Sequence, residues 1–198
     1  MFLQYGKEKN GFLKSWILNT LLGRTVGFVL VVLLALLIES IGLGHMQFFV
    51  GTGMGLGVGY FQARVLKKQF GWSNHWLWIT CVGLTVSFIL FDFGNSFIWE
   101  MPEYNLVLGV SFAAIVLAIW QTIYLQRKSG VKSWSFALYA LLTWGSAVGM
   151  VRITDFFREW GINGWISLVY FAALAIVLSS VSLGFFTDTG IRRYVRVS

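Results

Sequence analysis

The sequence predicts an all-α, polytopic membrane bundle of six transmembrane helices, and three observations predict it. The first is composition. Of 198 residues 57% are hydrophobic and only 12% are charged, with a mean hydropathy of +0.73. A soluble domain carries about twice that share of charge. The second is clustering: the charges fall in short groups separated by long neutral runs. Each run approaches the ~20 apolar residues that a bilayer-crossing helix needs. The third is the side on which basic residues fall, which is coherent only for an even number of spans. Six spans take roughly 120 residues. That leaves short loops, so residues 1–198 read as one integral membrane domain.

The elements follow in order. The opening "MFLQYGKEKNGFLKSW" has no small-residue cleavage site behind a short apolar run. It is expected to be retained, with the first helix directing insertion. Over 12–21, Leu13, Ile17 and Leu21 recur at helical spacing, and Phe12 and Trp16 extend the stripe. This predicts a short N-terminal interfacial helix with Lys14 toward the headgroups. The spans are predicted at about 26–43, 47–65, 76–93, 105–125, 134–153 and 164–186.

Orientation follows from the basic residues. Lys7, Lys9, Lys14 and Arg24 precede span one. Arg64, Lys67 and Lys68 lie between spans two and three, and Arg127, Lys128 and Lys132 between four and five. Arg192, Arg193 and Arg196 close the sequence. All thirteen share one side, against Arg152 and Arg158 on the other. The positive-inside rule puts both termini in the cytoplasm and the bundle in a cell inner membrane. Asp92, Glu100, Glu103, Asp155 and Glu159 fall outside. Tryptophans form two belts: Trp16, Trp72, Trp76, Trp120 and Trp134 near the inner boundary, Trp99, Trp160 and Trp165 near the outer one. With the basic residues in short loops, the net charge of +7 reads as topology and no nucleic-acid partner is expected.

Span two holds "GTGMGLGVGYFQ", with glycine at 51, 53, 55, 57 and 59. A dinucleotide fingerprint needs glycine offsets of two and then three, and here every offset is even. "GVGY" is part of a potassium filter, but no threonine precedes Val58 and no glycine follows Tyr60. On a helix, Gly51, Gly55 and Gly59 line one face and Gly53 and Gly57 nearly the opposite one. Small-xxx-small faces let helices approach closely. Span two is therefore expected to be gripped from both sides.

The hairpins look duplicated. "YFQARVLKKQFG" at 60–71 aligns without gaps with "IWQTIYLQRKSG" at 119–130, pairing Gln62 with Gln121, Leu66 with Leu125, Lys68 with Arg127 and Gly71 with Gly130. With a one-residue shift Trp76 then meets Trp134. "FDFGNSFIWE" and "TDFFREWGIN" echo one another at the outer ends, which suggests three hairpin units. The pattern small-x-x-x-Gly-x-x-Gln-x-x-x-Leu-basic, followed by Trp, covers Gly55 to Trp76 and more weakly Ile119 to Trp134. It resembles bacterial multi-pass membrane proteins of no established activity. The resemblance implies a membrane bundle and no particular chemistry.

Ionisable residues within spans are costly and mark functional hypotheses. Glu39 lies well inside the run "LLALLIES". Asp92 is sixteen residues past Trp76, about 24 Å along a helix. Asp155 is flanked by Arg152 and Arg158, each three residues away. Glu39, Asp92 and Asp155 are candidates for an acidic site at the outer end that gathers a cation or proton, or holds Arg152. The plainer reading is interfacial carboxylates with water access. Gln62 and Gln121 are inner polar positions, expected to bond between helices or to form a gate.

No catalytic constellation is expected. His45 and His75 fall on opposite sides, which removes a paired-histidine metal or haem site, so neither metal nor cofactor is expected. HExxH and GxSxG do not occur, and Cys81 reads as core. Three functions remain. One is a non-enzymatic transport- or channel-like protein with an acidic outer site. The second is a non-catalytic subunit or scaffold of a larger complex. The third is a membrane enzyme acting on lipid, with the outer carboxylates as acid and base. Besides the lipid bilayer, the expected partner is a second copy or another membrane subunit, because six short spans leave little room for a private pathway.

Overall fold

The computed structural model describes residues 2–42, 47–72, 74–97, 106–130, 134–138 and 140–142. Every regular element among them is α-helical: α1 (Phe2–Ser40), α2 (Phe48–Phe70), α3 (His75–Phe97), α4 (Leu106–Ser129) and the start of α5 (135–142, residue 139 aside). Spans five and six lie largely outside the described residues. Among the described residues three stretches are long and apolar enough to cross a membrane: Gly11–Ser40, His75–Gly94 and Leu108–Ser129.

Consecutive helices run antiparallel. Phe12 meets Phe70 at one end of the α1–α2 pair, and Gly27 meets Met54 further along. Gln62 bonds Trp76 near the start of α3, while Asp92 near its end reaches Gln47. Gly83 of α3 faces Leu117 of α4. α2 and α4 stop in the same way. Gly71 and Gly130 adopt φ of 66° and 71°, and their amides bond back to the Lys67 and Gln126 carbonyls at 3.0 and 2.9 Å. Only glycine takes this left-handed cap without a Cβ penalty.

Two expectations change. No short interfacial helix precedes span one, because α1 runs unbroken from Phe2 to Ser40. Gly23, the residue best suited to interrupt it, is instead packed on the α2 backbone. The inward stripe is Phe12, Trp16, Thr20, Gly23, Arg24 and Gly27, with Leu13, Ile17 and Leu21 at its margin. Gly11–Ser40 is about 45 Å long, more than the ~30 Å hydrocarbon layer, so α1 tilts or projects. Second, α2 is not among the three apolar stretches. Its five alternating glycines carry little apolar surface, and neighbouring helices cover them.

α2 is the inner helix of the first three. Its only exposed large apolar side chains are Leu56 and Tyr60, whereas α1 exposes nine from Leu18 to Leu37. A methyl group on Gly53 would lie 2.8 Å from Val31, and one on Gly57 would strike Gly23 and Gly27, all in α1. On Gly51, Gly55 and Gly59 it would meet Leu84 at 2.6 Å, Cys81 at 2.7 Å and Leu77 at 3.1 Å, all in α3. The two glycine faces thus lie against two different helices.

The core divides by depth. Toward the α2–α3 turn it is aromatic: Phe12, Trp16, Phe70, Trp72, Trp76, Tyr124 and Phe136 form a connected series with ring centroids 5.3–6.3 Å apart. Toward the other end Leu84, Phe88, Ala113 and Leu117 pack together.

Candidate functional site

A buried polar layer crosses four helices just beyond the aromatic end. Gln62 of α2 is its hub. The indole Nε1 of Trp76 donates to Gln62 Oε1 at 3.0 Å, and Gln62 Nε2 donates to Thr20 Oγ1 of α1 at 3.3 Å. An indole N–H can only donate, so it fixes which end of the amide faces it. Thr80, one turn on from Trp76, donates to the Trp76 carbonyl at 2.9 Å and accepts from Gln121 Nε2 of α4 at 3.0 Å. All five side chains are buried. In an apolar surrounding, satisfied bonds of this kind fix register, because any slip strands a polar group.

The layer shows a correspondence between hairpins. Trp16, Thr20 and Gly23 of α1 match Trp76, Thr80 and Gly83 of α3, the pattern Trp-x-x-x-Thr-x-x-Gly. Each threonine receives the amide of the glutamine on the next helix. The sequence alignment of the hairpins does not include this pattern, although spacing alone displays it. The match of Trp76 with Trp134 has no structural counterpart: Trp76 is 1% exposed and Trp134 58%. The ring that continues the series is Phe136, which packs edge-on against Trp76 at 6.0 Å, as Trp76 does against Trp16 at 6.3 Å.

Arg24 is not the loop cation that its place before span one suggests. It lies one turn beyond Thr20 on the same face of α1, within the first apolar stretch, and is 4% exposed. The other cations with described side chains, Lys14, Arg64, Lys67, Lys68, Arg127 and Lys128, are exposed.

The acidic candidates are placed differently from one another. Asp92 Oδ2 accepts from the backbone amides of Gln47 and Phe48 at 2.8 and 2.9 Å, so a side chain of α3 caps the start of α2. A carboxylate there satisfies amides that lack intrahelical partners and meets the positive end of the helix dipole. Glu39 is exposed, one turn from Leu36 on the outward side of α1. Asp155 and Arg152 lie outside the described residues. Among the described residues no group of three or more His, Cys, Asp or Glu side chains could hold a metal. Replacing Asp92 by Ala is expected to cost about 1–2 kcal/mol in detergent unfolding, and Asp92→Asn, which still offers a carbonyl, less than half of that.

Comparison with protein-family models, with curated proteins and with solved structures yields no match to this chain.

Proposed function

We propose that the chain is a six-span, non-enzymatic integral membrane protein of transport type, with both termini in the cytoplasm of a cell with an inner membrane. Arg24 is the observation that carries this reading. A guanidinium enclosed between helices within an apolar stretch is rare, and such residues usually serve substrate or ion passage. The orientation is supported by Lys67, Lys68, Arg127 and Lys128, exposed where α2 and α4 end beside the aromatic series. The internal hairpin repeat is supported by the two Trp-x-x-x-Thr-x-x-Gly segments with their matching glutamines. Asp92 is engaged as a cap, and Asp155 and Arg152 lie outside the described residues, so the acidic outer site stays in this reading beside the inner position of Arg24.

A second reading, a non-catalytic membrane subunit, is favoured by a different observation. Both ends of the Gln62 amide and both glycine faces of α2 are used for helix contacts. Flux from vesicles loaded with anions, cations or small neutral solutes separates the two. The transport reading expects protein-dependent release of at least one class, unaltered by Glu39→Gln. Absence of any release, with a second protein recovered in fixed ratio from native membranes, establishes the subunit reading instead.

A further inference from the structure

We propose that the open face of α2 binds an anionic phospholipid at the basic end of the bundle, with the phosphate on Arg64 and Lys67 and the acyl chains along Leu56. The inference goes beyond transport and holds for a transporter or a subunit alike.

The two glycine faces of α2 are taken by α1 and α3, which leaves one side. Between Phe48 and Phe70 the exposed residues are Leu56, Tyr60, Arg64, Lys67, Lys68 and Gln69. Leu56, Tyr60, Arg64 and Lys67 follow one another at steps of four, four and three, so they form one stripe. On the reverse side, at Gln62, Trp16 of α1 and Trp76 of α3 meet with ring centroids 6.3 Å apart and close over α2. The stripe therefore forms the floor of an open groove between α1 and α3. Gly23 of α1 and Leu77 of α3 lie against Gly57 and Gly59, which sets the depth of each helix. At that depth the exposed side chains of the flanking helices are Leu22 and Val26 of α1 and Trp78 and Val82 of α3. The rims of the groove are apolar and aromatic.

Along the stripe the chemistry changes in the order of a phospholipid. Leu56 is apolar, Tyr60 is aromatic with a polar tip, Arg64 is a guanidinium and Lys67 an ammonium. The whole stripe covers about 16 Å. Tyrosine and tryptophan settle at headgroup level, so Tyr60 and Trp78 mark the boundary and Arg64, one turn on, falls among phosphates. A guanidinium fork fits two phosphate oxygens. Lys14 of α1, also exposed, stands near the same level, since Phe12 packs on Phe70. The carboxylates with described side chains, Glu39 and Asp92, lie toward the opposite end of the helices. The charge of the groove end is thus complementary to an anionic headgroup.

The second hairpin separates this face from the cations that orientation asks for. In the gapless alignment of 60–71 with 119–130, Lys68 meets Arg127, so both hairpins keep a basic turn. The stripe is not kept. Tyr60 meets Ile119, Arg64 meets Ile123 and Lys67 meets Gln126, while Leu56 in the same register meets Ile115. Ile115 and Ile119 are exposed, as Leu56 and Tyr60 are. A helix in the equivalent place therefore turns a plain apolar face outward. Arg64 and Lys67 are additions to the basic turn, and cations grouped beside a span attract anionic headgroups.

The test is thermal unfolding of the full chain at constant ionic strength, in neutral-detergent micelles that carry phosphatidylglycerol or phosphatidylcholine. Phosphatidylglycerol at saturation is expected to raise the native midpoint by about 5 °C over phosphatidylcholine. Arg64→Ile combined with Lys67→Gln copies α4. It is expected to keep the native midpoint in phosphatidylcholine and to need about tenfold more phosphatidylglycerol, or beyond, for half of the shift. Arg127→Gln combined with Lys128→Gln removes equal charge from α4 and is expected to stay within about twofold of the native response. Native mass spectrometry is expected to show phosphatidylglycerol retained by the native chain and lost from the α2 variant.

The proposal is overturned if the native chain shows no preference for phosphatidylglycerol, or if the α2 variant responds as the native chain does. Equal losses in the α2 and α4 variants also overturn it, because general surface charge is then the cause. Inorganic phosphate that reproduces the shift in phosphatidylcholine micelles overturns it too, since the groove then holds a free anion and not a lipid. Should the α2 double variant not fold, Arg64→Gln takes its place, with about a fivefold weaker response expected. The vesicle flux assay keeps this inference apart from transport. Flux without a lipid preference removes the lipid site and leaves transport standing, and a lipid preference lost with Arg64 but without flux does the reverse.

Discussion

Gly57→Ala is expected to be the most damaging methyl-sized change among the described glycines, costing more than about 3 kcal/mol and preventing a stable α1–α2 pair. The added carbon would strike the Gly23 carbonyl oxygen and come within 2.5 and 2.6 Å of Gly27 N and Cα. All three are backbone atoms, so no rotamer change relieves the clash and the helices must separate. Separation in turn stretches the bond from Gln62 to Thr20, already 3.3 Å long. Two control substitutions isolate the cause. Gly83→Ala meets Leu117 Cδ1 at 3.2 Å, the end of a flexible side chain, and is expected to stay within about 1 kcal/mol of the native chain. Gly11→Ala meets nothing within 4 Å in a helix and is expected to gain about 0.5–1 kcal/mol. Denaturant titration in mixed micelles reads all three. If Gly57→Ala costs no more than Gly83→Ala, the close α1–α2 crossing is wrong.

The glycine run is legible in the sequence because its information is geometric. Even offsets on a 100° helix divide five glycines between two faces, and the structure sets those faces against α1 and α3. α1 is not legible by the same means. Its stripe of Leu13, Ile17 and Leu21 is apolar, but in a bilayer the lipid side is apolar too, so hydrophobicity does not say which face turns inward. Small and polar residues do, and Thr20, Gly23, Arg24 and Gly27 mark the buried face. Arg24 misleads for a related reason. A basic residue near a span counts naturally with the loop cations, although in "WILNTLLGRTVG" the one residue before it suited to end a helix, Gly23, lies inside α1. The role of Asp92 is invisible in the chain, since its partners are the amides of Gln47 and Phe48, some forty-five residues away. Interhelical bonding by Gln62 and Gln121 is one of two alternatives that their positions allow. That threonines receive both amides follows only from how the helices pack.

The two glutamines, matched in sequence, are expected to differ sharply in what they support. Gln62→Leu removes the acceptor of Trp76 Nε1, and that indole is almost wholly enclosed, so its N–H is left without its bond in an apolar surrounding. A stranded buried donor costs about 1–3 kcal/mol, and the bond to Thr20 is lost as well. The expected total is about 2–4 kcal/mol. Gln121→Leu removes only a donor to Thr80 Oγ1, whose hydroxyl still bonds the Trp76 carbonyl at 2.9 Å. About 1 kcal/mol is expected there. A double-mutant cycle with Trp76→Phe tests the cause. Once the indole N–H is gone, Gln62→Leu strands nothing on α3, so the combined change should cost about 1 kcal/mol less than the sum of the single changes. Gln121→Leu combined with Trp76→Phe should be additive within about 0.5 kcal/mol. Equal costs for the two glutamines, or no coupling between Gln62 and Trp76, would show that the layer does not hold α2 to α3. The repeat would then be a likeness of sequence without a shared mechanical role.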